Sequence, residues 1–180
     1  LVQEILPPTK EVPIFVAGGI GRGEIILKFL QLGAAGCQIG TRFVCANESI
    51  AHSKFKNIFI KSEARNAQIS VKIDDRLPVI PVRAIENSAT QNFISEQKKL
   101  INLVEKKEIS LKDAQLSIEH FWAGSLKKAV IDGDVESGSL MAGQSVSLVK
   151  KLQSVSEIFN ELTQQMKSQI NFEQKDSNNG

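Results

Sequence analysis

The stretch Val16-Ala17-Gly18-Gly19-Ile20-Gly21-Arg22-Gly23 constrains the fold more than any other part of the chain. It places four glycines within six residues, directly behind the apolar run Val12 to Ala17. Glycine loses the most backbone freedom on folding, so such a cluster marks an awkward turn or a place where something must approach the backbone. The continuous apolar run reads as a strand buried on both faces. Glu24 to Leu32 then reads as a helix, with Ile26, Phe29, Leu30 and Gly33 on one face and Gly33 as its C-terminal cap. A second short strand follows, Cys37-Gln38-Ile39-Gly40. Strand, helix and strand joined by a crossover of this length form a parallel pair with a right-handed connection.

Parallel neighbours end at the same edge of their sheet, so Gly18-Gly19 is expected beside Gly40-Thr41. Small residues, backbone amides, a threonine hydroxyl and a helix N-terminus together suit a phosphate. In TIM barrels the loops after strands seven and eight bind phosphate in this way. The alternative is a pair of tight structural turns. A dinucleotide fingerprint does not fit, because G-x-G-x-x-G starting at Gly19 requires glycine where Glu24 stands.

A chain of 180 residues can bury one sizeable core. Lys and Arg total 22 against 20 Asp and Glu, a net charge of +2, which lends no support to nucleic-acid or membrane-surface binding. Cys37 and Cys45 have no zinc-type partners, so neither a metal site nor a disulfide framework is expected, and a reducing cytoplasmic setting follows. No apolar run approaches membrane-spanning length, and the first residues show no signal-peptide pattern.

In the middle of the chain Asn47 is a candidate N-cap for a helix through Phe59. Ala67, Ile69, Val71 and Ile73 alternate with polar residues, the pattern of a half-buried strand. Asp74 to Arg83 is a Pro-punctuated loop, and a long helix is expected from about Arg83 to Lys106, which sets Arg83 and Asn87 one turn apart. Ser110 with Asp113 resembles a capping box and opens a helix ending near Gly133, with Phe121 and Trp122 as core residues. Ser154 with Glu157 opens a final amphipathic helix carrying Val155, Ile158, Phe159, Leu162 and Met166 on one face. The polar residues 171–180 are expected to be disordered.

Four segments, VPIFVAGGIG, LGAAGCQIGTRFVCANES with the following Ala51-His52, VRAIEN and GDVESGSLMAGQS, resemble the C-terminal half of the nitronate monooxygenase family. That family also contains flavin-dependent enoyl-acyl-carrier-protein reductases. The resemblance runs from about Pro13 to Leu162. The fold it implies is α/β: the C-terminal part of an FMN-binding TIM-type (β/α)8 barrel with an inserted, mainly helical lid domain. Residues 1–45 would supply strands seven and eight with their helix, residues 46–132 the lid, and residues 133–170 the return to the barrel and a C-terminal helix. Strands one to six, with the flavin-ring contacts and a Gly-Gly-His motif bearing the proposed base, would lie upstream, making this chain a fragment. His52 and His120 lack the glycine pair, so no catalytic residue is assigned.

On the same resemblance the cofactor is FMN. Gly18 and Gly19 allow its phosphate close to the backbone, while Gln38, Ile39, Gly40 and Thr41 hold it from the other side. Arg22 and Arg42 flank these loops. Met141, Gly143 and Gln144 are candidate flavin or substrate neighbours, with close helix packing as the equal alternative. Ser147-Leu148 stands where family members often carry Gly-Leu. The Arg83–Asn87 pair would anchor the lid. The implied reaction is oxidation of alkyl nitronates by molecular oxygen. The alternatives are an enoyl-thioester reductase using NADH or NADPH, and a non-catalytic flavin-binding remnant. The expected partner is a small molecule, a nitronate or an enoyl thioester, and a homodimer is left open.

Overall fold

The computed structural model describes residues 12–178, the side chains of Trp122, Ser177 and Asn178 excepted. The core role expected of Trp122 therefore lies outside the described groups. The chain forms two compact units. The first holds the described residues up to Ser49 and from Leu148 onward, and the second is Ile50–Ser147.

In the first unit, β1 (Phe15–Ala17), α1 (Gly23–Gln31) and β2 (Gly36–Gln38) form the expected strand–helix–strand unit. The two strands are parallel, with Phe15 opposite Gly36, Val16 opposite Cys37 and Ala17 opposite Gln38. Helix α1 ends as its glycine demands: Gly33 takes φ +100°, Ala34 N–H donates to the Phe29 carbonyl and Gly33 N–H to that of Leu30. That is a Schellman motif. One face of β1 packs inward, where Val16, Ile20 and Ala34 form a core with Ile26, Phe29 and Ile39. The other face, expected to be buried, is open, with Phe15 63 % exposed and Ala17 exposed beside it. A two-stranded ribbon has cover for one side only.

A short helix α2 (Thr41–Val44) follows β2 directly, and α6 (Val155–Asn178) packs along α1 and α2. Its buried Ile158 and Leu162 meet Ala46, Ile26, Ile39 and Phe43. Because α1 packs against both the ribbon and α6, Leu27 is buried while Leu30, expected on the packed face, is 37 % exposed. The Ser154 cap is present, with Glu157 N–H donating to Ser154 Oγ at 3.2 Å and Ser154 N–H to Glu157 Oε2 at 2.6 Å. The tail expected to be disordered is helical as far as Asn178. Glu173 explains the difference: it accepts from Lys28 Nζ at 2.5 Å and Gln31 Nε2 at 2.9 Å, tying the late turns of α6 to α1.

The second unit contains α3 (Ser53–Lys61), β3 (Ala67–Ile69), β4 (Arg83–Ile85), α4 (Ser88–Glu105) and α5 (Leu111–Val130). The cap of α3 is His52, not Asn47: His52 Nδ1 accepts from Lys54 N–H at 3.1 Å. Asn47 N–H instead donates to the Gln153 carbonyl at 2.8 Å within the first unit. Arg83 to Ile85, expected as a first helical turn, is a strand antiparallel to β3, and Asn87 caps α4 through Oδ1 to Thr90 N–H at 3.2 Å. The β3 alternation stops early, leaving Val71 47 % and Ile73 38 % exposed. Buried Gln97 draws that segment out of the ladder, donating to the Val71 carbonyl and accepting from Ile73 N–H. Ser110 caps α5 as expected. Leu77, Val79, Phe93, Leu100, Ala114 and Ile118 form this unit's core, with the Phe121 ring stacked on Phe93 at 5.8 Å.

Candidate functional site

Pairing of Ala17 with Gln38 brings the residues after the two strands to one sheet edge. Gly18-Gly19 lies on one side and Ile39-Gly40-Thr41 on the other. Gly18 and Gly19 both take positive φ, +90° and +71°, a sequence of conformations that L side chains rarely adopt. A Cβ built on Gly18, Gly19 or Gly40 meets no atom within 4 Å. At Gly40 neither conformation nor packing demands glycine, since its φ is −93° and its surroundings are open. The edge is therefore a cradle of bare backbone with room above it. Six predicted residues, Gly18, Gly19, Gln38, Ile39, Gly40 and Thr41, are gathered here. The Ile39 side chain packs into the core, leaving its backbone for any ligand.

The two flanking arginines behave differently. Arg22 is exposed and forks onto Glu24, with Nη2 to Oε1 at 2.6 Å and Nε to Oε2 at 3.1 Å. Arg42 is 5 % exposed and turns into the protein, donating to the Gly21 carbonyl at 3.0 Å and Glu161 Oε2 at 2.6 Å. The Arg42 guanidinium, and then the Gln153 amide, hold the Glu161 carboxyl below the usual carboxylate range. Neither Cys37 nor Cys45 forms a disulfide, and burial pushes the Cys37 thiol up, away from reactive thiolate.

The remaining predicted residues belong to the second unit. Residues 133–147, expected to return to the barrel, are part of it. Met141 bridges Ala84, and around it Ile85 N–H donates to the Leu140 carbonyl and Ala142 N–H to that of Arg83. Gly143 is half-buried and Gln144, exposed, opens a 3-10 turn. Gly138 is a packing glycine: a Cβ there would lie 2.5 Å from Ala129 N and 2.6 Å from Asp134 O. Asn87 anchors this segment, donating to the Val135 carbonyl at 2.7 Å and the Gly138 carbonyl at 2.8 Å. Arg83 makes a separate anchor, donating to the Ala67 carbonyl at 2.6 Å, so the expected pair acts as two independent ties. His52 also packs over Gly133, and His120 is exposed on α5. Among the described residues no group of three His, Cys, Asp or Glu side chains could hold a metal ion, and no helix is long and apolar enough to cross a membrane.

The family model described as nitronate monooxygenase matches residues 1–165. The chain belongs to the nitronate monooxygenase family. A probable nitronate monooxygenase from Staphylococcus saprophyticus is 28 % identical over 128 residues, a match covering 66 % of this chain and 34 % of that protein. Among solved structures, FabK from Thermotoga maritima is similar with a TM-score of 0.74 and 26 % identity, over 97 % of this chain and 50 % of FabK. A nitroalkane oxidase from Streptomyces ansochromogenes shares the fold, with a TM-score of 0.60 and 22 % identity, over 89 % of this chain and 41 % of its own. The family member described here thus spans about a third of its curated relative and up to half of these solved chains. Its family and neighbours are oxidoreductases. The sequence placed Arg42 only as a flank of these loops, directly after Thr41; its inward turn onto Gly21 and Glu161 had no local signal.

Proposed function

We propose that this chain is the FMN phosphate-binding part of a TIM-type barrel enzyme that oxidises alkyl nitronates with molecular oxygen. The observation that carries the proposal is the glycine edge: two strand ends side by side, with Gly18, Gly19 and Gly40 open above their Cα atoms. That cradle fits a phosphate group, because bare amides can reach its oxygens and no side chain fills the space. Gly18 and Gly19 would form one wall, and Gln38, Ile39, Gly40 and Thr41 the other, with the Thr41 hydroxyl as a donor. Bound FMN would supply the redox chemistry, accepting electrons from the nitronate and passing them to oxygen. The chain's own part is to bind and orient the cofactor.

Met141, Gly143 and Gln144 are proposed as flavin or substrate neighbours. The proton-abstracting histidine belongs, on this proposal, to the family's Gly-Gly-His motif and not to His52 or His120, since His52 caps a helix. Cys37 and Cys45, which form no disulfide, accord with a reducing, cytoplasmic setting.

The test uses the complete flavoprotein that carries this chain. Mixed anaerobically with an alkyl nitronate, its flavin should bleach within the mixing time of the experiment, and NADH or NADPH should bleach it only slowly. Thr41→Val should weaken FMN binding by about 1.5–3 kcal/mol, the worth of a hydrogen bond to a charged group. Rapid bleaching by NADH coupled to reduction of an enoyl thioester would transfer the assignment to the reductase branch. Purification without any flavin affinity would reject the cofactor itself.

A further inference from the structure

The glycine turn is held from behind by one continuous polar circuit. Arg42 donates Nη1 to the Gly21 carbonyl, and Nη2 to Glu161 Oε2 and, at 3.2 Å, to Gln153 Oε1. Gln153 Nε2 returns to the same Glu161 oxygen at 2.9 Å. The other Glu161 oxygen accepts from Gln165 Nε2 at 3.3 Å, and Gln165 Oε1 accepts from Gly23 N–H at 2.7 Å. The carbonyl before Arg22 is thus tied to α6 through Arg42, and the amide after it directly through Gln165. Gly23 sits so close to α6 that a Cβ would collide with the Leu162 carbonyl oxygen.

Packing alone does not call for this arrangement. A buried guanidinium is stabilising only where it is paired and its hydrogen bonds are satisfied, and apolar side chains would join two helices more simply. What the circuit adds is a defined geometry. Gly18 and Gly19 lie immediately upstream, both at positive φ and with open space where side chains would be, so nothing on their own side restricts them. A turn of such residues binds well only if its shape is set before the ligand arrives. The α1 N-terminal amide of Gly23 is already engaged by Gln165.

We propose that Arg42, Glu161 and Gln165 are positioning residues that preset the Gly18–Gly23 turn for a phosphate without touching it. This rests on the flavin-phosphate assignment above. The prediction is specific to the phosphate end of the ligand. FMN and riboflavin share the ring and ribityl chain and differ only in the phosphate, so they separate a loosened turn from a damaged fold.

The experiment titrates the complete apoprotein with FMN and with riboflavin, following quenching of flavin fluorescence, and records the Tm of each apo variant. Arg42→Met should weaken FMN binding about tenfold or more while changing riboflavin affinity less than about twofold. Arg42→Lys should recover part of the difference, because it keeps the charge but loses the fork. Should Arg42→Met fail to fold, Gln165→Met, which removes the Gly23 tie and the Gln165–Glu161 bond but leaves Arg42 paired with Glu161, decides the matter with a smaller loss in the same direction. Unchanged FMN affinity in folded variants overturns the clamp alone. Equal losses for both flavins also overturn it, by showing a general packing role. Wild-type protein that binds FMN no better than riboflavin overturns the phosphate assignment and the clamp together.

Discussion

The glycines at the strand ends of the first unit and those of the 133–138 loop in the second serve opposite purposes. In the first unit Gly18, Gly19 and Gly40 face open space, and their missing side chains leave room outside the protein. In the second unit the missing side chains are replaced by protein: the His52 ring lies over Gly133, and Ala129 lies against Gly138. The contrast shows that a glycine-rich segment is not by itself a binding signature. The MAGQ region and the AGGIG region look alike in composition, yet Gly138 is needed so that a loop can press on α5. Open space above a glycine counts toward a ligand's approach where it adjoins other open glycines at one sheet edge, as at Gly40; Gly124 on α5 is open with no such neighbours.

The contrast can be broken most strongly at Gly138. Gly138→Ala should destabilise the protein by about 3 kcal/mol, because the new methyl meets backbone and a helix methyl that cannot move aside. A lowered urea midpoint with unchanged slope is the expected result, and wild-type stability would show that the segment yields. The complementary substitution is Gly40→Ala. The apoprotein should keep its stability to within about 0.5 kcal/mol, since the site is open and the backbone helical. FMN affinity should fall about tenfold, because the methyl occupies the phosphate's approach. If stability drops and affinity does not, Gly40 is a packing glycine like Gly138.

A smaller effect sharpens the same comparison at two helix ends. Helix α1 closes its Schellman motif with Gly33, whereas α4 closes the same pattern with Lys107 at φ +60°. There Glu108 N–H donates to the Leu103 carbonyl and Lys107 N–H to that of Val104. A side chain in the left-handed region costs about 1 kcal/mol. Lys107→Gly should therefore raise stability by about 0.5–1 kcal/mol, seen as a higher Tm with unchanged flavin binding. An unchanged or lower Tm would mean that Lys107 makes compensating contacts.

Much of the molecule is encoded over a few residues. The parallel strand–helix–strand unit, the Gly33 cap and the Ser110 and Ser154 caps all depend on neighbours within one or two turns, and all were legible from their spacing. So was the edge that brings Gly18-Gly19 to Gly40-Thr41, because a helical crossover of this length returns the chain as a parallel strand. Misread elements share another feature: partners distant in sequence. Asn47 has the chemistry of a cap, but its backbone is taken by Gln153, and the cap of α3 falls to His52. Arg83 to Ile85 carry helix-compatible residues, but β3 and the Leu140–Ala142 segment supply a ladder for them. The polar tail has the composition of a disordered segment, yet it stays helical where Glu173 reaches Lys28, 145 residues away. Arg42 is the sharpest case. Its identity was plain, but its direction was decided only when α6 brought Glu161, 119 residues later, into contact with it. Local hydrogen bonds and backbone preferences act through the chain, whereas a buried charge takes its orientation from whichever counter-charge the fold delivers.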